Sequence, residues 1–146
     1  MKNKLLLCAL LVFAALAALN GCAGGKVENA LMQKDLLHHN YVLETVDGEP
    51  FTSSFKTPNL SFNEGFRVGG AVCNNFFGQA ELKDGVLKVE HMASTLMMCP
   101  DQQLNSLEAT FGEMLRNGAQ IRLEGDRLFL NQGGHELGYI LKDYVN

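Results

Sequence analysis

Apolar and polar positions along the chain fall into three rhythms. Leu5 to Leu19 is an unbroken apolar run of 15 residues. From Tyr41 onward, short stretches rich in β-forming side chains alternate with turn residues. Tyr41-Val42-Leu43-Glu44-Thr45-Val46 reads as a strand closed by Asp47-Gly48, a strong turn signal. Leu60-Ser61-Phe62 and Phe66-Arg67-Val68 alternate around Asn63-Glu64-Gly65 and predict a hairpin. Phe77 to Leu82 and Val86 to Val89 flank Lys83-Asp84-Gly85 in the same way, the second mostly apolar as a well-buried strand would be. Ile121 to Glu124, Arg127 to Leu130 and Leu137 to Leu141 follow, with Gly125-Asp126 and Gly133-Gly134 as turns. Gln33 to His39 has room for a turn or two of helix.

The third rhythm is helical. Leu104, Leu107, Phe111, Met114 and Leu115 recur at helix spacing between Asp101 and Arg116, opposite a face of Gln103, Ser106, Thr110 and Glu113. Pro100 stands just outside the start and Asn117-Gly118 supplies a stop. Strands, one helix, then strands predict an α+β domain. The expected architecture is a mainly antiparallel curved sheet or open barrel closed by one amphipathic helix over residues 101–116. Helices do not alternate with strands, so a doubly wound parallel sheet is not expected.

The first rhythm belongs to export. Met1-Lys2-Asn3-Lys4 is a positive start, the apolar run is short for a permanent span, and Asn20-Gly21-Cys22 ends it. Leu19-Asn20-Gly21-Cys22 resembles the lipobox of bacterial lipoproteins, with Asn20 standing where that class usually has a small or apolar residue. The resemblance implies a signal peptide over 1–21, lipid on Cys22, a lipidated N-terminus and tether over 22–30 and a globular domain over 31–146. Ala23 after the cysteine implies, by the same resemblance, a lipid anchor in the cell outer membrane with the domain facing the periplasm. Multiple acyl chains hold stably, because each buried methylene contributes about 0.8 kcal/mol.

Without Lys2 and Lys4 the 12 basic residues fall to 10 against 16 acidic ones. An acidic domain carries no footprint for nucleic acid. Of four cysteines, Cys8 leaves with the leader and Cys22 takes lipid, so Cys73 and Cys99 remain in a compartment where disulfides persist. They form one disulfide, or else two separately buried thiols.

Two clusters go beyond patterning. Gly70-Ala71-Val72-Cys73-Asn74-Asn75-Phe76-Phe77-Gly78 resembles the glycine–cysteine–asparagine–aromatic–glycine signature of META domains, and Thr95-Leu96-Met97-Met98-Cys99 resembles that family's Thr-x-Met-x-Cys element. Glu108 to Leu115 and Gly125 to Leu130 fit its helix and following hairpin, so the resemblance spans roughly Leu36 to Leu141. Tyr41 departs from the tryptophan many members carry at the first strand. The resemblance implies a non-enzymatic lipoprotein of the envelope stress response, linked to heat shock and, in enterobacteria, to novobiocin resistance, whose partner is an unidentified envelope protein or amphiphile. The motif residues Gly70, Asn74, Phe76, Gly78, Thr95 and Met97 also have structural readings. Gly70 and Gly78 suit positive-φ or bulge positions, Asn74 suits a turn cap, and Phe76 suits the core.

Sharper chemistry has weak support. His91-Met92 with Met97-Met98-Cys99 offers soft ligands for copper(I), but strand alternation would send Met97 and Met98 to opposite faces, so gap-filling core methionines are expected instead. His38-His39 lacks the further ligands a zinc site needs and reads as a solvated pair. No activated thiol, serine elbow or phosphate loop is visible, so no catalytic residue, metal or cofactor is expected. The competing class is an enzyme acting on envelope material through a polar cleft that the sequence does not declare.

Overall fold

The computed structural model describes residues 31–145. The expected leader over 1–21, the lipidated Cys22 and the tether lie outside the described residues. Nine strands and one helix follow in order: β1 (His39–Val46), β2 (Glu49–Pro50), β3 (Asn59–Asn63), β4 (Arg67–Ala71), β5 (Asn75–Lys83), β6 (Val86–Ser94), α1 (Gln102–Asn117), β7 (Ala119–Glu124), β8 (Arg127–Gln132) and β9 (His135–Tyr144). Every neighbouring pair is antiparallel. Because β1 pairs with both β3 and β9, eight strands close into a ring, and β2 is a two-residue spur on β1. The open sheet that patterning allowed is thus a closed barrel, which leaves no free first or last strand.

Closure is least complete between β6 and β7, which meet only at Val86↔Gln120 and Leu87↔Ala119. The connection between those two strands is α1, and it packs over β6 and β8. Its five predicted apolar positions are all buried. The helix begins one residue later than patterning placed it, because Asp101 is the cap: its Oδ1 accepts N–H bonds from Gln103 (2.9 Å) and Leu104 (3.3 Å). Gly118, at φ +92°, ends it. Strand alternation supplies the rest of the core; on β6, Leu87 and Val89 point in while Lys88 points out, so this strand alternates rather than burying both faces.

The registers give the barrel two distinct ends. At one, the chain enters through Leu36 to His39 beside Tyr144 of β9, next to the Asn63–Phe66, Asp84-Gly85 and Gly125-Asp126 turns. At the other lie the Asp47-Gly48 turn, the 51–58 loop, the Val72–Asn74 turn and the Thr95–Pro100 crossing from β6 to α1. The first is the tether end and the second the strap end.

The predicted helix before β1 is a single 3-10 turn, Gln33–Asp35, after which Leu36 is fully buried. His38 and His39 are not an equivalent solvated pair. His38 is exposed, with Nδ1 3.2 Å from the Val145 carbonyl oxygen. His39 is half-buried, packs at a tilt against Tyr144 with ring centres 4.9 Å apart, and keeps Nδ1 out of solvent without a partner.

Candidate functional site

The family motif assembles at the strap end. Cys73 and Cys99 are buried and joined as a disulfide, with Cα atoms 6.0 Å apart. This link ties the β4–β5 turn to the start of α1.

Asn74 is the buried polar residue beside it, 7% exposed, and every polar group of its side chain is used. Its Oδ1 accepts from Met97 N–H (2.7 Å) and Thr95 Oγ1 (3.0 Å), and its Nδ2 donates to the Met97 carbonyl (3.2 Å). Thr95 Oγ1 in turn accepts from Asn75 N–H (3.1 Å), while Thr95 N–H donates to the Asn75 carbonyl. The expected cap of its own turn is not made: the asparagine side chain instead holds the strap of residues 95–97 as a strand partner would. A buried amide with all its groups satisfied fixes one geometry.

Patterning missed four other supports of this end. Glu108 of α1 accepts N–H bonds on Oε2 from both Cys73 (3.1 Å) and Asn74 (2.9 Å). Lys56 Nζ donates to the Cys73 carbonyl (2.9 Å), and Asn105 Nδ2 donates to the Cys99 carbonyl (3.0 Å). Ser53 Oγ donates to Asp101 Oδ2 (2.7 Å). That hydroxyl, with the helix N–H groups, holds the Asp101 carboxyl below its ordinary value. Only Glu108 left a trace in the sequence, as a carboxylate one turn after Leu104 on the edge of the apolar stripe.

The glycines of the motif act by absence of a side chain. Gly70 has φ +152°, and a Cβ there would run into the Asn59 carbonyl and the Phe76 ring. Gly78 sits at a register shift where His91 and Met92 of β6 together face one residue of β5, with His91 at φ +52°. A Cβ on Gly78 would lie 2.6 Å from Val89 Cγ1. This bulge bends the two strands. Phe76 packs on Phe111 of the helix, ring centres 4.8 Å apart.

Met97 and Met98 correct the expectation of core methionines. The side chains of Leu96, Met97 and Met98 are 95%, 53% and 97% exposed. Residues 95–100 form a strap rather than a strand, so alternation does not govern them, and Met97 contributes to the motif through its backbone. Phe55 on the neighbouring loop and Phe77 on the outer face of β5 are also exposed. Phe77 stands between Gly69 and Ala93, its register partners on β4 and β6, and these small residues leave its ring uncovered. From it a groove of about 700 Å³ runs along β4–β6 past Gly78 towards Arg67, Lys88 and His91.

The titratable groups are dispersed. His38 and His39 lie at the tether end, His91 at the bulge, and His135 at the strap end with Nδ1 3.0 Å from Asp47 Oδ2. The Asp47 carboxyl is held below its ordinary value by the Glu136 N–H first and by His135 second. Burial, reinforced by Asp126, pushes the Tyr41 phenol up to about 12; burial raises Tyr139 as well. Among the described residues no group of three His, Cys, Asp or Glu side chains has the geometry to hold a metal ion.

An eight-stranded antiparallel barrel plugged by one helix, with a disulfide and a buried asparagine fixing one mouth, defines the class of domain. The META domain family model matches residues 34–144, and the chain belongs to that family. It is 40% identical over 136 residues to heat shock protein HslJ of Escherichia coli (strain K12), a match covering 91% of this chain and 97% of that protein. A protein solved by NMR is 41% identical, with a TM-score of 0.72 over 77% of this chain and 97% of its own. A second NMR structure, of a protein from Burkholderia xenovorans, shares the fold at 17% identity, with a TM-score of 0.58 over 75% and 86% of the two chains.

Proposed function

We infer that this protein is a lipid-anchored, non-enzymatic factor of the envelope stress response that works by presenting its strap end to a partner. Heat shock is the setting suggested by the similarity to HslJ, and novobiocin resistance is the linked phenotype. The observation that carries the reading is the opposition of the two ends. The chain arrives from Cys22 at the tether end, beside β9, while the exposed Leu96, Met97 and Met98 occupy the other mouth. An anchor in the outer membrane through Cys22 points that mouth into the periplasm. The large exposed apolar side chains there are what an interaction surface needs, and among the described residues no cluster of activated groups accompanies them.

The test is complementation of a deletion strain under heat and novobiocin, with labelled fatty acid to follow Cys22. Wild type should be labelled, sediment with outer membranes and restore growth. Cys22→Ser should lose the label and most of the protection at equal abundance. Full protection by soluble, unlabelled Cys22→Ser protein would overturn the anchored reading. A stable alanine variant at His38, His39, His91 or His135 that behaves as a null would overturn the non-enzymatic one.

A further inference from the structure

The strap spends conformational constraint on keeping apolar side chains outside. Asn74 holds Met97 by both backbone groups, Thr95 pairs with Asn75, and the disulfide fixes Cys99. Leu96, Met97 and Met98 are thereby held outside a core formed by other side chains. Their surroundings are also unusual for an acidic protein. Between Ala93 and Pro100 no residue is charged, and from there to Leu107 the only charge is Asp101, whose carboxylate is occupied by the helix cap and Ser53. Depletion of charge with enrichment of methionine and aromatic residues is the composition of an interface centre. Unbranched, polarisable methionines adapt to partners of varied shape, and a surface of this kind suits many sequences rather than one.

The surface is elongated. It passes from the strap across the Thr95–Asn75 pairing to Phe77, and then into the groove beside Gly69 and Gly78. Gln79 lies four strand steps beyond Asn75, about 13 Å of path beyond the strap. An extended chain segment fits that shape better than a globular cap. The chain's own Cys22 to Ala30 is a poor occupant, because only Val27 and two alanines among those residues are apolar besides the cysteine. Those nine residues also join the barrel at its other end and span only about 30 Å fully extended.

We propose that the Leu96–Met98 strap, Phe77 and the adjoining groove form a binding site for extended apolar segments of non-native envelope proteins, making this domain a holding factor that delays aggregation. The proposal deepens the partner-presenting reading and rests on it for its cellular setting, but its test does not depend on the anchor.

Residues 31–146 suffice for that test, since a solved relative of nearly the same extent stands as an isolated domain. Light scattering of citrate synthase during heating is followed with increasing domain. The comparison is the Leu96→Ser/Met97→Ser/Met98→Ser variant, with Phe77→Ser as a second, independent lesion. Wild type should suppress scattering, and the triple variant should need roughly tenfold more protein for the same effect, with its Tm unchanged. Phe77→Ser should fall between them, and a photocrosslinker at Met98 should join the domain to heated but not native citrate synthase. No suppression by wild type, or equal suppression by the folded triple variant, overturns the proposal. So does self-association that the triple variant abolishes, which gives the surface to a second copy. Flotation with phosphatidylethanolamine–phosphatidylglycerol vesicles lost in the same variant gives it to a bilayer and overturns the proposal as well. Failure here with intact Cys22-dependent protection leaves the anchored reading standing, whereas failure of labelling and protection leaves this result untouched.

Discussion

The two mouths of the barrel are closed by opposite means. At the tether end, the 3-10 turn Glu64–Phe66 folds an aromatic ring inward at the expense of backbone strain: Phe66 sits at φ +55°, unusual for a bulky residue. Its ring stacks on Phe62 at 5.6 Å, Phe62 meets Tyr41 edge-on at 6.2 Å, and Leu36 fills the remaining space. Tyr144 and Met32 remain outside there, the former against His39. At the strap end the plug is polar and covalent: a disulfide, an amide and a helix carboxylate hold backbone, and three consecutive large side chains are left facing solvent. The difference separates two tasks. The tether end stabilises through buried area, which works wherever apolar side chains can turn in. The strap end gains its order from bonds to the main chain, which frees the side chains to face outward.

Several substitutions should break or sharpen that contrast. The largest effect belongs to Gly70→Val, which places a branched side chain against the Asn59 carbonyl and Phe76 at a backbone angle only glycine adopts readily. A loss of about 4 kcal/mol in denaturant unfolding is expected. Next, Cys73→Ala with Cys99→Ala removes a cross-link spanning 26 residues, worth about 3.5 kcal/mol in chain entropy. Hydrogen exchange should rise around residues 72–76 and 95–99 before it rises at Tyr41 and Phe62; uniform loss of protection would contradict the separation of the ends. Asn74→Ala leaves Met97 N–H and carbonyl without their partner and should cost about 2 kcal/mol by thermal melts, again felt first at the strap.

Acid offers a finer probe. Asp47 and Asp101, both at the strap end, have folded carboxyls below the ordinary value of 3.8. A lowered folded pKa contributes stability that is present above the unfolded value and is lost as pH falls through the folded one. Melting temperature should therefore drop as pH is taken below about 4, and Asp47→Asn with Asp101→Asn should flatten that drop. Equal acid slopes in the two proteins would remove these groups from the account. Smallest of all, Leu96→Ser, Met97→Ser and Met98→Ser together should shift unfolding by no more than about 0.5 kcal/mol, because exposed side chains contribute little to folding.

Repeating patterns carried most of the fold. The β-forming runs Tyr41–Val46 and Val86–Val89, the turn pairs Asp47-Gly48 and Asp84-Gly85, and the stripe from Leu104 to Leu115 are local signals, and each marks its element, although β6 runs on to Ser94. Closure was not local. Nothing in the sequence of β1 says that it meets β9, since that pairing joins strands from opposite ends of the domain. The candidate site divides in the same way. Cys73 and Phe76 stand out by type and sit as their chemistry suggests, whereas Asn74 reaches across to the strap instead of capping its own turn. Met97 stands out too, but its side chain is exposed and its backbone is the useful part, about which hydrophobicity says nothing. Ser53 and Lys56 act from the 51–58 loop and Asn105 from α1, and their roles became visible only in space.

The pairing of β1 with β9 also governs the order in which the chain can finish folding. His39 and Tyr144 are register partners, so the first strand of the ring can pair early with β3 but completes its pairing only when β9 has been made. Closing so long a loop costs entropy before any of its contacts form, and folds rich in such pairings are slow. Until then β1 and β8 both present open edges, the form of chain most prone to join a neighbour. A chain cut off before His135, and so lacking all of β9, would therefore be an adhesive sheet in place of a barrel.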